Sequence, residues 1–165
     1  MHIALTFDDN FWAPAFATMR SVCLFTPQRE ELVFHLCHRT LTPEHRADLE
    51  AIRDEFPVTL RWYDLDQSKM FRDIAARMPE NRRLSNIVYA RLMIDRLVDK
   101  DVERVLYLDC DMLVRDDVAW LFTLDLNITP LPRCATQSVP RSPMAGTSAA
   151  IAIFLIRGTI TSMPA

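Results

Sequence analysis

The run Val105-Leu106-Tyr107-Leu108 constrains the fold of this chain more than any other segment. Successive strand side chains point to opposite faces, so a nearly unbroken apolar run needs cover on both sides, as a central strand of a parallel sheet has. Runs interrupted by single polar residues occur at Ile3–Phe7, Leu32–Cys37 and Val58–Tyr63. Between them, apolar residues recur at helical spacing over Trp12–Phe25, with Pro14 tolerable in the first turn. Thr42 as N-cap and Pro43 at N1 open a second helix, followed by His45 to Phe56. Ser85 caps a third through about Val98, with Ile87, Ala90, Leu92, Ile94 and Leu97 on its buried side. Met112–Val114 reads as a short further strand and Val118–Phe122 as a helical turn. This alternation predicts an α/β fold with a mainly parallel central sheet, in which ligands bind at the carboxyl ends of the strands.

Glycine usage narrows the class further. The 165 residues contain two glycines, Gly146 and Gly158, so the first 145 have none. A P-loop or a glycine-rich dinucleotide turn needs bare backbone against phosphate and cannot lie there. A net charge of −3 gives no basic excess to hold a phosphate backbone, so nucleic acid is not an expected partner. With 50% hydrophobic residues, the length suits one domain with a real core. Cys23, Cys37, Cys110 and Cys134 form no Cys-x-x-Cys pair and read as thiols of a reducing compartment. The longest apolar run, 149–156, falls far short of the ~20 residues of a membrane span. No signal-peptide pattern opens the chain. The expected location is therefore cytoplasmic, with peripheral attachment at the inner membrane face left open.

Two acidic clusters, Asp8-Asp9-Asn10 and Asp109-Cys110-Asp111, fall at predicted strand ends where no core requires them. Carboxylates at i and i+2 of an extended segment point to one side and can grip a hard divalent cation. Such an ion in turn carries a phosphate or diphosphate. Fifteen aspartates give roughly 1.3 Asp-x-Asp triplets by chance, so context must decide among the three present. Asp64-Leu65-Asp66 reads as a turn, and Asp99-Lys100-Asp101 as a solvated helix–strand connection. Asp109-Cys110-Asp111 alone follows a nearly continuous apolar strand.

The segment Arg104-Val105-Leu106-Tyr107-Leu108-Asp109-Cys110-Asp111-Met112-Leu113-Val114-Arg115-Asp116 closely resembles the metal-site segment of family 8 glycosyltransferases, which include bacterial lipopolysaccharide galactosyl- and glucosyltransferases. Ile3-Ala4-Leu5-Thr6-Phe7-Asp8-Asp9-Asn10 resembles their first strand and nucleotide loop, and Val88-Tyr89-Ala90-Arg91-Leu92 the helix before the metal strand. The resemblance implies a GT-A-type, Rossmann-like nucleotide-sugar-binding domain over residues 1–126. It implies transfer of a hexosyl unit from a UDP-sugar to a saccharide or lipid-linked saccharide acceptor, with retention. Asp109 and Asp111 would hold Mn²⁺ or Mg²⁺ on the donor diphosphate. Thr6, Asp8 and Asn10 would line the uridine pocket, and Arg91 would lie by the diphosphate or donor sugar. Each has a plainer alternative: Asp8 and Asn10 as caps or turn residues, Thr6 as an ordinary strand residue, Arg91 as a surface arginine. Tyr89 and Tyr107 read as packing residues, and His2, His35, His38 and His45 as strand or surface histidines.

Composition changes near residue 126. Residues 1–126 carry a net charge of −6, whereas residues 127–165 contain no acid, three arginines, five of the ten prolines and both glycines. The Asn-Ser-Gly or Asn-Ala-Gly segment and the His-x-x-Gly-x-x-Lys-Pro segment that the resemblance predicts, the latter supplying a third metal ligand, do not occur. Residues 127–165 therefore read as an atypical tail, frameshifted or naturally divergent, and the domain as truncated on its C-terminal side. Two competing readings follow. One is an inactive remnant that at most binds UDP-sugar and metal. The other is a phosphatase of the haloacid dehalogenase kind, whose Asp-x-Asp supplies a nucleophile and an acid, although Met112-Leu113 stand where small residues would nest a phosphate.

Overall fold

The computed structural model describes residues 1–77 and 86–124, together with the backbone of a strand at 151–155. Its elements are β1 (His2–Asp8), α1 (Trp12–Phe25), β2 (Val33–Arg39), α2 (Pro43–Glu50), α3 (Ile52–Glu55), β3 (Thr59–Asp64), α4 (Lys69–Ala75), α5 (Ile94–Leu97), β4 (Arg104–Leu108) and β5 (Ile151–Leu155). The strands form one sheet in the order β3-β2-β1-β4-β5. β1 to β4 run parallel, and β5 pairs antiparallel with β4 at the edge. The mixed, mainly parallel α/β architecture is thus the one expected. The change in character near residue 126, and all of the tail except β5, lie outside the described residues, as does Ser85.

Strand pleat sorts the core into two layers. On one face Ile3, Leu5 and Phe7 of β1 meet Phe34 and Leu36 of β2 and Leu106 and Leu108 of β4. Ala15, Met19 and Val22 of α1, with Leu49 of α2 and Ile52 of α3, cover them. On the other face Ala4, Val105 and Tyr107 pack with Ile94 and Val98, while Cys37 packs with Phe71, Ile87, Ala90 and Met93. Burying each large apolar side chain stabilises the fold by about 1.5–3 kcal/mol. This two-sided cover is what the apolar run of β4 requires. The helix expected over His45–Phe56 begins with Thr42 capping the His45 N–H and Pro43 at N1, and divides at Ala51 into α2 and α3.

Two local expectations are corrected. Asn86–Met93 is a 3-10 helix rather than the first part of an α-helix, and only Ile94–Leu97 is α-helical. A 3-10 helix repeats every three residues, so Ile87, Ala90 and Met93 share its buried side. Leu92, expected in the core, is turned out and is 61% exposed. Met112–Val114 forms no strand. Its ladder partners are replaced by hydroxyls of α1: Thr18 Oγ1 lies 2.8 Å from both the Cys110 and the Met112 carbonyl oxygens, which share its one proton, the Met112 N–H donates to Thr18 Oγ1 (3.1 Å), and the Val114 N–H donates to Ser21 Oγ (2.9 Å).

β1 is the topological switch point. The chain leaves it toward β2 on one side and returns as β4 on the other, an arrangement that opens a crevice at the carboxyl ends of the two strands. Pairing between β1 and β4 runs only from His2↔Val105 to Ala4↔Tyr107. Beyond that point the strand ends part, and the site lies in the gap.

Candidate functional site

A cavity of about 280 Å³ occupies this gap, lined among others by Thr6, Asp8, Phe11, Val88, Arg91, Tyr107, Asp109 and Asp111. Five of the six residues singled out from the sequence thus converge. Asn10 is exposed and not part of the lining; its backbone N–H donates to Asp8 Oδ1 (3.0 Å), so Asp8 caps the short turn Asp9–Phe11. A larger groove of about 440 Å³, among Lys69, Met70, Ile74, Arg77 and Arg96, is an open surface feature along α4.

Asp109 is held by side chains. Arg91 Nη2 donates to its Oδ1 at 3.1 Å, and the Tyr107 hydroxyl donates to the same oxygen at 3.0 Å. Arg91 Nε also donates to the Val88 carbonyl (3.0 Å), and the guanidinium lies 4.9 Å above the Tyr107 ring. The 3-10 conformation therefore aims Arg91 at the strand end. Tyr107 is 2% exposed, and burial pushes its phenol well above its ordinary range, so it stays protonated and donates. Since that proton is directed to Asp109, the Thr6 hydroxyl, 3.1 Å away, donates to the Tyr107 oxygen. Thr6–Tyr107–Asp109 is then a directed chain of hydrogen bonds. Sequence reasoning placed Tyr107 with the packing residues and missed this role; the available signal was a hydroxyl within an otherwise apolar strand, two residues before the acid.

The loop after β1 is tied to α2. Asp9 Oδ1 accepts the Thr42 N–H (2.8 Å) and pairs with His45 Nδ1 (2.9 Å), and Trp12 stacks on the His45 ring at 4.6 Å. The Thr42 N–H, followed by His45, holds the Asp9 carboxyl below its usual range. Phe11, 45% exposed, leaves an aromatic surface at the cavity mouth beside Asp8.

The donors suit a hard cation. Asp109 and Asp111 offer carboxylate oxygens, and among the described residues Asp109 Oδ2 has no hydrogen-bond partner. Burial and the neighbouring Asp111 charge raise the Cys110 thiol to about 11, so no thiolate competes at neutral pH. No cluster of three or more His, Cys, Asp or Glu side chains able to share one ion occurs among the described residues. Two carboxylates at the cavity wall are hard oxygen donors of the type that Mg²⁺ and Mn²⁺ take. The structure also speaks against a phosphate nest after Asp111, because the Met112 and Val114 N–H groups are already bonded to α1.

The other Asp-x-Asp pairs behave as expected. Asp66 bonds Arg39 and the Thr40 N–H while Asp64 accepts the Asp66 N–H, which makes a turn, and Asp99 pairs with Arg61 at the surface.

The parallel sheet, its switch point and the acidic strand end define a GT-A glycosyltransferase fold. The profile of glycosyl transferase family 8 matches residues 2–145, and the chain belongs to that family. Over 127 residues it is 26% identical to general stress protein A of Bacillus subtilis (strain 168), covering 76% of this chain and 43% of that protein. It is 33% identical over 129 residues to the probable galacturonosyltransferase-like 3 of Arabidopsis thaliana, covering 76% and 36%. The solved structure of galactosyltransferase LgtC in complex with donor and acceptor sugar analogs superposes with a TM-score of 0.73 and 26% identity, over 94% of this chain and 58% of that one. The chain thus spans less than half the length of these two curated relatives. Among the described residues no helix is long and apolar enough to cross a membrane.

Proposed function

We propose that this chain forms the donor side of a metal-dependent, retaining family 8 glycosyltransferase that moves a hexosyl unit from a UDP-sugar to a saccharide or lipid-linked saccharide acceptor. The observation that carries the reading is the convergence of Arg91, Asp109 and Asp111 with Thr6 and Asp8 on one cavity between the parted ends of β1 and β4. Asp8 presents a carboxylate acceptor for the N–H or hydroxyl groups of uridine, and Phe11 an aromatic face for its base. Asn10 acts from the rim of the same loop. Arg91 offers further N–H donors to the diphosphate beyond the one given to Asp109. Asp109 and Asp111 would hold Mn²⁺ or Mg²⁺, which when bound offsets the charge that develops on departing UDP. Bare aspartates would repel a diphosphate, so the site needs that cation. The expected setting is the cytoplasm, with acceptors reached at the inner membrane face.

A second reading rests on the absence, among the described residues, of a third His, Cys, Asp or Glu side chain grouped with Asp109 and Asp111. In it the chain binds UDP-sugar and metal without transferring.

Titration calorimetry with UDP, with and without Mn²⁺, tests both. Binding that requires Mn²⁺ and is abolished in Asp109→Asn is expected; UDP affinity indifferent to metal and to that substitution overturns the site. UDP release from UDP-galactose or UDP-glucose that depends on an added saccharide acceptor supports transfer, and binding without release supports the second reading.

A further inference from the structure

The two carboxylates of the acidic turn are secured in different ways. Asp109 is held by Arg91 and Tyr107. Asp111 is exposed, and among the described residues no hydrogen bond or ion pair holds its carboxylate. Its position is therefore set by its backbone, and that backbone is gripped on both sides from α1. One hydroxyl, Thr18 Oγ1, faces the carbonyl of the preceding residue, Cys110, and both the carbonyl and the N–H of the following residue, Met112. Ser21, one helical turn on, takes the Val114 N–H and donates its own proton to the Thr18 carbonyl (2.7 Å).

These hydroxyls are out of place on packing grounds. Thr18 is 0% and Ser21 3% exposed, within the stripe where α1 otherwise places Ala15, Met19 and Val22 against the sheet. Serine and threonine are weaker helix formers than alanine, and burying a hydroxyl is costly unless it is bonded. Their bonds all run to the acidic turn or to the clasp itself. The same helix begins directly after the loop that carries Asp8 and Phe11, so one rigid element sets both the nucleotide loop and the acidic turn.

We infer that Thr18, supported by Ser21, is a positioning residue that fixes the Asp111 carboxylate for a divalent cation. This rests on the metal-dependent reading proposed above. Partners bonded directly to a metal ligand are worth roughly 10–100-fold in metal affinity, and that range sets the scale for a support that holds the ligand through the backbone on either side of it.

The test compares Thr18→Val, which keeps the shape and removes the hydroxyl, with Thr18→Ser, which restores it, and with Ser21→Ala. Three readouts are taken on each variant: amide exchange, Mn²⁺ affinity and uridine affinity. Amide hydrogen exchange at Met112 and Val114 reads the clasp without metal. Mn²⁺ affinity in the presence of saturating UDP, read from the Mn²⁺ electron paramagnetic resonance signal, reads the carboxylate. Expected are faster Met112 exchange and a roughly 10–100-fold loss of Mn²⁺ affinity in Thr18→Val, both recovered in Thr18→Ser. Ser21→Ala is expected to speed Val114 exchange with a smaller loss of Mn²⁺ affinity. Affinity for uridine, which lacks the diphosphate, is expected to stay unchanged and so to report an intact fold. Unchanged Met112 exchange in Thr18→Val overturns the clasp. Faster exchange with undiminished Mn²⁺ affinity overturns the positioning role while leaving the metal site standing. A wild-type chain that binds no Mn²⁺ with UDP overturns the metal-dependent reading, and the positioning role with it.

Discussion

Arg91 and Asp109 lie 18 residues apart in the chain and 3.1 Å apart in space, the guanidinium of a 3-10 helix reaching the first carboxylate after β4. The same guanidinium covers the ring of Tyr107, whose hydroxyl bonds the same carboxylate oxygen. Arginine, tyrosine and aspartate therefore act as one unit, orienting Asp109 before any ligand arrives. Preorganisation of this kind lowers the cost of ordering a site on binding.

Tyr107→Phe deletes the hydroxyl that joins Thr6 to Asp109 and leaves the buried Thr6 hydroxyl without its acceptor. The expected loss of stability is about 1–2 kcal/mol, measured by urea unfolding. A several-fold weakening of Mn²⁺-dependent UDP binding should accompany it. Full stability and full affinity together would return Tyr107 to the role of a packing residue.

Arg91→Lys keeps the charge but cannot bond Val88 and Asp109 while also covering Tyr107, because a lysine ammonium has no planar fork. UDP affinity should fall by roughly tenfold or more, the scale of one charge-assisted hydrogen bond. Wild-type affinity in this variant would show that Arg91 contributes only its charge.

Asp8 carries two roles that substitution can separate. Asn retains an acceptor for the Asn10 N–H, whereas Ala removes the cap at a cost of about 1 kcal/mol. Asp8→Asn is expected to keep its unfolding midpoint and lose uridine affinity, and Asp8→Ala to lose both. If Asp8→Asn binds uridine as tightly as the wild type, the residue is a cap alone.

His35 is buried between His2 and Tyr63, hydrogen-bonded at 2.9 Å to each. Burial, then the charges of His2 and Arg61, lowers its pKa to about 3; burial likewise lowers His2 and His38. The charged form is thus disfavoured in the folded state, and the unfolded chain binds more protons below pH ~6.5. Stability is fully present above that pH and is lost as pH falls toward the folded value. His35 accounts for a slope of up to about 1.4 kcal/mol per pH unit. Urea midpoints at pH 7 and pH 5, above most carboxylate titration, should show this loss and a shallower one in His35→Gln. An equal slope in the variant would remove His35 from the account.

Much of this molecule was legible as pattern. Strand–helix alternation located β1 to β4, α1 and the Thr42–Pro43 helix start, because periodicity and capping are local properties. The acidic residues stood out because they end apolar strands that have no need of them. Resemblance at Asp8, Arg91 and Asp109 anticipated which side chains meet.

What local pattern could not supply was the partner of each segment. A three-residue and a 3.6-residue period both pass through Ile87 and Ala90, and only packing against the sheet chose the former, turning Leu92 out and Met93 in. Met112–Val114 has the composition of a strand, yet its backbone finds the hydroxyls of α1 instead of a neighbouring strand. The amino-acid sequence by itself determined which elements form and where the acids stand, since helix and strand periods, caps and apolar runs act over a few residues. Only the tertiary structure decided that Thr18, Tyr107 and Arg91 converge on the acidic turn. Their contacts span 18 to 94 residues of chain or cross one buried strand end, and they exist only once the parted ends of β1 and β4 have been set in place.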